Sequence, residues 1–265
     1  MENVYTKSGA LAKRIYFGAT LIWEKAASFI IEVDTIKAGT PSNQFQFTGA
    51  EGDYDVVAKQ GGAIVATFND LSGQQTITLP SSGVYVLEIK AKEVNGFNRI
   101  AFLNGGDLDK ITDIKQWGNI VWSSFHQSFR NCSNLVVSAL DIPNLSICQN
   151  FSFMFSGARK VNPNVLNWDL TFATNMSLML NVANLANPNA RNWNIINVTN
   201  MDKIFYDSNL SVENLTACYE NWSQLTLQMD VPFSAGTTKY NSSGQAGRDI
   251  LINTYNWSIT DGGQV

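Results

Sequence analysis

The second half of the chain repeats itself every 25 residues. Trp168 returns as Trp193, Met176 as Met201, Asn162 as Asn187, and Phe155 as Leu180 and then Phe205. One step earlier the interval is 26, linking Phe125 to Phe151 and Phe129 to Phe155, with Trp117 ahead of Pro143, Trp168 and Trp193 in one column. A fixed period in the twenties marks a repeat architecture in which no unit can bury its apolar face alone, so copies must stack. A stacked wall of this kind suits contact with another molecule better than it suits catalysis.

Within each unit apolar residues fall at i, i+3 and i+4: Phe151, Met154 and Phe155, then Met176, Met179 and Leu180, then Met201, Ile204 and Phe205. That spacing predicts a short helix with one inward face. Thr174 and Thr199, followed by Asn175 and Asn200, offer caps for its first N–H groups. Upstream, Trp168-Asp169-Leu170 and Trp193-Asn194-Ile195 alternate as short strands do. Asn162-Pro163 and Asn187-Pro188 turn the chain back, and an Asn in a fixed column can satisfy loop backbone groups that stacking would bury.

The remaining segments divide the chain into four parts. Residues 1–26 hold Ile15, Tyr16, Phe17, Leu21 and Trp23, read as two strands about a Gly18 turn; two strands are not stable alone, so this segment is expected to dock as an anchor. Residues 27–104 alternate short apolar runs with Gly, Pro, Ser and Asn turns, which predicts a small immunoglobulin-like β-sandwich. Residues 105–212 carry the repeats, and 213–265 depart from them as a C-terminal cap. The expected class is α+β: a β-sandwich followed by a short α/β solenoid with its cap.

Composition narrows the partners. At 265 residues, 45% hydrophobic and 11% aromatic, the chain can build sizeable cores. A formal charge of -4 without a basic block argues against nucleic acid, which needs clustered Lys and Arg. No apolar run approaches the ~20 residues of a membrane span, and no signal-peptide core is visible near the start, so synthesis in a cytoplasm without export and no membrane insertion are expected. Cys132, Cys148 and Cys218 lack metal or redox spacing; Cys132 shares a column with Ala158, Ala183 and Ser208 and reads as a core filler, with a Cys132–Cys148 disulfide as the alternative.

No catalytic constellation emerges. His126 is the single histidine, and none of the nucleophile, zinc, P-loop or dinucleotide fingerprints is present. Asp107, Asp109 and Asp113 lack the further ligands of a calcium loop and read as a linker turn. No enzyme activity, cofactor or metal is therefore expected. The column of Trp117, Trp168 and Trp193 reads as core, whereas Trp122 and Trp222 break it and read as exposed. Asn167, Asp169, Arg191 and Asn194 alternate with buried positions, and with Trp122 they form the expected partner surface.

Several of these segments resemble a known family. Lys115-Gln116-Trp117-Gly118-Asn119, Phe151-Ser152-Phe153-Met154-Phe155, Asn167-Trp168-Asp169, Asn197-Val198-Thr199-Asn200-Met201 and Trp257-Ser258-Ile259-Thr260-Asp261-Gly262-Gly263 are similar to the BspA-type leucine-rich-repeat surface proteins. There an Asn-Trp-Asp strand and a Val-Thr-Asn-Met-Ser-x-Met-Phe helix recur behind a β-sandwich. This chain departs from the pattern at Leu180 and at Ile142-Pro143-Asn144. Residues 14–23 resemble, more weakly, the short strand pair near the termini of bacteriophage virion proteins. Together the resemblances imply a phage tail or fibre-associated virion protein that presents an adhesin-type repeat surface for host attachment.

Its expected partners are a host cell-surface glycan or protein and other virion proteins, with a homo-oligomer on the particle. Rival readings are a BspA-type bacterial cell-surface adhesin, a structural ring or decoration component of the virion, and a glycan-degrading virion enzyme, which would need paired carboxylates.

Overall fold

The computed structural model describes residues 27–92 and 96–265, together with the backbone of two short strands, β1 (Arg14–Phe17) and β2 (Thr20–Glu24). These two pair antiparallel. The side chains of the expected anchor, Ile15, Tyr16, Phe17, Leu21 and Trp23, lie outside the described residues.

Downstream, β3 (Phe29–Asp34), β4 (Gln44–Gln46), β5 (Asp53–Gln60), β6 (Ala63–Ser72), β7 (Thr76–Thr78) and β8 (Val84–Ala91) are followed by β9 (Ile111–Gln116) and β10 (Val136–Val137). They form one open six-stranded sheet, ordered β10-β9-β3-β8-β5-β6, and a two-stranded ribbon of β4 and β7. The alternation of buried and partly exposed residues along β3, β5 and β8 gives the sheet a single core face. Phe45 and Phe47 pack in that core with Phe97, Ile100, Phe102, Trp117 and Trp122.

This corrects the expected immunoglobulin-like sandwich. A second sheet of comparable size is missing among the described residues, and ribbon, loops and aromatic rings do its covering. Two of the six strands, β9 and β10, come from beyond residue 104.

The expected α/β solenoid is likewise corrected. Among the described residues the α-helices are α1 (Val212–Trp222) and α2 (Gln245–Asn253), both after the repeats, and no strand lies at 168–170 or 193–195. Where short helices are expected the chain makes tandem turns. Met154 N bonds to Phe151 O (3.1 Å), Ser156 N to Phe153 O (3.3 Å) and Ala158 N to Phe155 O (3.0 Å).

The intervening N–H groups leave the unit. Those of Phe151, Phe153, Phe155 and Gly157 reach the carbonyls of Asn175, Ser177, Met179 and Asn181 at 2.8–3.0 Å, and the same set recurs one unit before and one after. This alternation requires left-handed residues. Gln127, Phe153, Leu178 and Lys203 form one such column (φ 55, 57, 55 and 52°), and Asn131, Gly157, Val182 and Asp207 a second (φ 59, 74, 56 and 52°). Left-handed backbone is costly for non-glycine residues, and four interunit hydrogen bonds per step hold it in place.

Each stack of turns begins with the same side-chain device. Asn150 Oδ1 accepts from Ser152 N (2.9 Å) and Ser152 Oγ (2.6 Å), Asn175 Oδ1 accepts from Ser177 N (3.0 Å) and Oγ (2.8 Å), and Asn200 Oδ1 accepts from Asp202 N (2.9 Å). Ser124 Oγ does this for His126 N in the first unit (3.1 Å). These are Asx and Ser turns in place of helix caps. Asn175→Ala is expected to destabilise the protein by about 1 kcal/mol, the worth of one partly buried hydrogen-bonded turn, read as a fall in the urea midpoint at unchanged slope.

Inward columns fill one continuous core in which Phe125, Phe129, Phe151, Phe155, Met176, Leu180, Met201 and Phe205 are fully buried. Cys132, Cys148 and Cys218 are buried free thiols, so the alternative disulfide is not formed. Burial pushes the Cys148 thiol up to about 12.

Asn162 and Asn187 stitch the return loops, with Asn187 N donating to Asn162 Oδ1 and Ser211 N to Asn187 Oδ1 (2.9 Å each). The last unit passes its bonds to β11 (Pro232–Ser234), which pairs with β12 (Ser258–Thr260). Asp261 locks this end, accepting from Tyr219 Oη (2.6 Å) and Arg248 Nε (2.7 Å). Gly262 sits where a Cβ would lie 2.1 Å from the Thr237 carbonyl.

Candidate functional site

The turns point alternate side chains outward, and those columns vary while most inward ones stay apolar, Ser128 standing in the buried column of Met154, Met179 and Ile204. Gln127, Phe153, Leu178 and Lys203 succeed one another in one outward column, and the buried Ser156, then Asn181 and Tyr206, follow Arg130 in a neighbouring one. The expected partner strip divides. Asn167, Asp169 and Arg191 are exposed, whereas Asn194, expected to face solvent with them, is half-buried with its Oδ1 enclosed and unpartnered among the described residues. Asp169 and Asn194 spend part of their polarity internally: Thr171 Oγ1 donates to Asp169 Oδ1 (2.6 Å) and Asn194 Nδ2 to Thr171 Oγ1 (3.0 Å), while the adjacent Asn197 Nδ2 donates to the Thr171 carbonyl (2.8 Å).

Trp122 is not part of this surface. It is fully buried at the junction of sheet and first unit, edge-on to Phe29 (5.0 Å) and tilted on Phe125 (4.9 Å). Trp222 is also buried, its Nε1 donating to the Ala190 carbonyl (3.1 Å). An aromatic outside a repeat column is free to close a junction, and both do so. Trp117, Trp168 and Trp193 are buried as well, with Trp117 and Trp168 meeting edge-to-face at 5.8 Å across the smaller Pro143.

A polar depression of about 230 Å³ opens beside the second left-handed column, with Arg130, Asn131, Ser156, Gly157, Arg159 and Asn181 around it. Sequence reasoning missed it. Its signal is the pair Arg130 and Arg159, which break columns otherwise held by Ser, Asn and Tyr. Arg130 lies over the Phe153 ring, 4.7 Å from its centroid, and its Nη1 donates to Gln127 Oε1 (3.2 Å). Arg159 is exposed and makes no ion pair among the described residues.

Gln127 extends this arrangement to His126. Its Nε2 lies 3.0 Å from His126 Nε2, and His126 Nδ1 lies 2.7 Å from Ser152 Oγ, whose own hydrogen goes to Asn150. The network fits a neutral imidazole with its proton on Nδ1. Burial, with the nearby Arg99 and Arg130 charges, lowers the His126 pKa below its ordinary value. The unfolded chain therefore takes up a proton more readily than the folded one. Stability is complete above the ordinary imidazole range and declines as pH falls through it. Unfolding free energies measured from pH 7.5 down to pH 5.5 are expected to fall, and His126→Gln to flatten that slope.

Among the described residues no His, Cys, Asp and Glu cluster could hold a metal ion, and no helix is long and apolar enough to cross a membrane. The acidic segment read as a linker turn proves to be a buried lock. Asp107 and Lys110 are fully buried, 3.6 Å apart. Asp107 accepts from Thr40 N (2.7 Å), Thr40 Oγ1 (2.8 Å) and Gln46 N (2.7 Å). Lys110 Nζ donates to the carbonyls of Thr40 (2.7 Å), Pro41 (3.1 Å) and Gln44 (2.8 Å). Gly39 leaves room for the carboxylate, since a Cβ there would lie 2.1 Å from Asp107 Oδ1.

These features define a β-rich repeat protein whose second half is a stack of hydrogen-bonded turns bearing variable outward columns. The family model described as "Mycoplasma protein of unknown function, DUF285" matches residues 106–243, over half of the chain, and the chain belongs to that family. No curated protein and no solved structure matches it.

Proposed function

We propose that this protein is a non-enzymatic, virion-associated binding protein of a bacteriophage tail or fibre, whose turn-stack surface contacts a host receptor or neighbouring virion proteins. The observation that carries the reading is the division of labour between columns: most inward positions hold one apolar character from unit to unit, with the buried Ser128 the exception in the column of Met154, Met179 and Ile204, while outward positions change from Gln to Phe to Leu to Lys. A constant scaffold under a varied face is what recognition of an extended partner needs. Individual contacts on such a face are weak, and copy number on a particle multiplies them.

The test is adsorption. Purified protein added to host cells before the phage is expected to reduce adsorption, and mass spectrometry is expected to find the chain in purified particles. Absence from particles would sink the reading.

A second reading, a BspA-type surface protein of a cell, is favoured by the family description, which names a cellular source. It predicts surface labelling of intact cells that carry the gene, and no enrichment in particles.

A further inference from the structure

Resting on that contact reading, we propose that the depression between Arg130 and Arg159 binds the carboxylate of an acidic sugar at the surface of a glycan. Three observations converge on this chemistry. The charged groups facing the depression are two guanidiniums, beside the Ser156 hydroxyl and the Asn131 and Asn181 side-chain amides, and no carboxylate is among its lining residues. Such a site selects an anionic acceptor, and planar guanidiniums match a carboxylate through paired hydrogen bonds.

Arg130 is held in place before any ligand arrives. The Phe153 face supports it, and the chain of hydrogen bonds from Gln127 through His126 and Ser152 to Asn150 fixes the residue that orients it. A guanidinium fixed in this way loses less freedom on binding.

Size and neighbours separate a sugar from other anions. At about 230 Å³ the depression is smaller than the roughly 300–1,000 Å³ of drug-sized pockets, which suits one ring. Ser156 is buried, and its Oγ accepts from Asn181 Nδ2 (3.2 Å), so the side-chain Oδ1 of Asn181 is left for a sugar hydroxyl. Its polar rim lacks the apolar pocket that anchors a peptide.

The experiment titrates the intact chain with glucuronic acid and compares glucose, sodium acetate, inorganic phosphate and tetraglutamate, with binding read by NMR shift perturbation. Glucuronic acid is expected to bind in the millimolar range, roughly tenfold or more tighter than glucose, the factor that a charged hydrogen bond confers, and severalfold tighter than acetate, which keeps the charge but lacks the ring hydroxyls. Arg159→Glu, an exposed change, is expected to abolish that binding with an unchanged circular dichroism spectrum, and Arg130→Lys to weaken it.

Equal or tighter binding of acetate or phosphate would show a general anion site and overturn the proposal. Preference for tetraglutamate, absence of glucuronate binding, or full binding by Arg159→Glu would overturn it equally. Blocking of adsorption by protein that ignores glucuronate would remove this site and leave the contact reading standing. Glucuronate binding without blocking would support the site and count against the virion reading.

Discussion

Lys110→Met is expected to destabilise the protein by about 3–5 kcal/mol, the cost of stranding one member of a buried ion pair. The substitution leaves the Asp107 carboxylate inside the protein without its counter-charge, and strips three backbone carbonyls of their shared donor. Thermal unfolding should register this as a fall on the order of 10 °C. Adding Asp107→Asn to Lys110→Met removes the stranded charge and is expected to recover part of the loss. A double variant less stable than either single one would show that the hydrogen bonds, not the charges, hold this corner.

Phe155→Ala is expected to cost about 3–5 kcal/mol, because it removes a fully buried ring from a packed column. Phe155 stacks on Phe129 at 5.5 Å and 17°, so truncation leaves a void between two units whose backbones are tied together and cannot close it. Phe155→Leu should cost about 1.5 kcal/mol or less, since Leu180 holds the same column one unit on. Equal losses for Ala and Leu in urea unfolding would mean that the ring's stacking geometry matters more than its volume.

The period of the repeat was legible in the sequence because buried side chains recur at the spacing of the units. Their local conformation was not. The i, i+3, i+4 pattern at Phe151, Met154 and Phe155 is satisfied by a helix, and equally by two turns about a left-handed Phe153. What decides between them is where the backbone N–H groups go, and a side-chain pattern does not record that. Asn150-Phe151-Ser152 and Asn175-Met176-Ser177 held the missing clue, since Asn followed two residues on by Ser suits an Asx turn.

The site divides in the same way. Exposure of Asn167, Asp169 and Arg191 follows from local alternation, so it could be read along the chain. The depression could not, because Arg130, Ser156 and Asn181 meet only through stacking. The Asp107 lock was hidden for a similar reason: its partner Thr40 is 67 residues away. Trp122 misled because an aromatic that breaks a column looks superfluous until the sheet is placed beside the first unit.

Strand β9 has a practical consequence. It is hydrogen-bonded to β3 on one side and to β10 on the other, and the N–H groups of Ser138 and Ala139 meet its Ile114 carbonyl. There is accordingly no clean seam near residue 105 at which to divide the polypeptide. A fragment ending there would lose two strands of its sheet, and one starting there would expose an unpaired edge. Melting should therefore proceed as a single event across both halves, and fusion partners belong at the ends of the chain rather than at its middle.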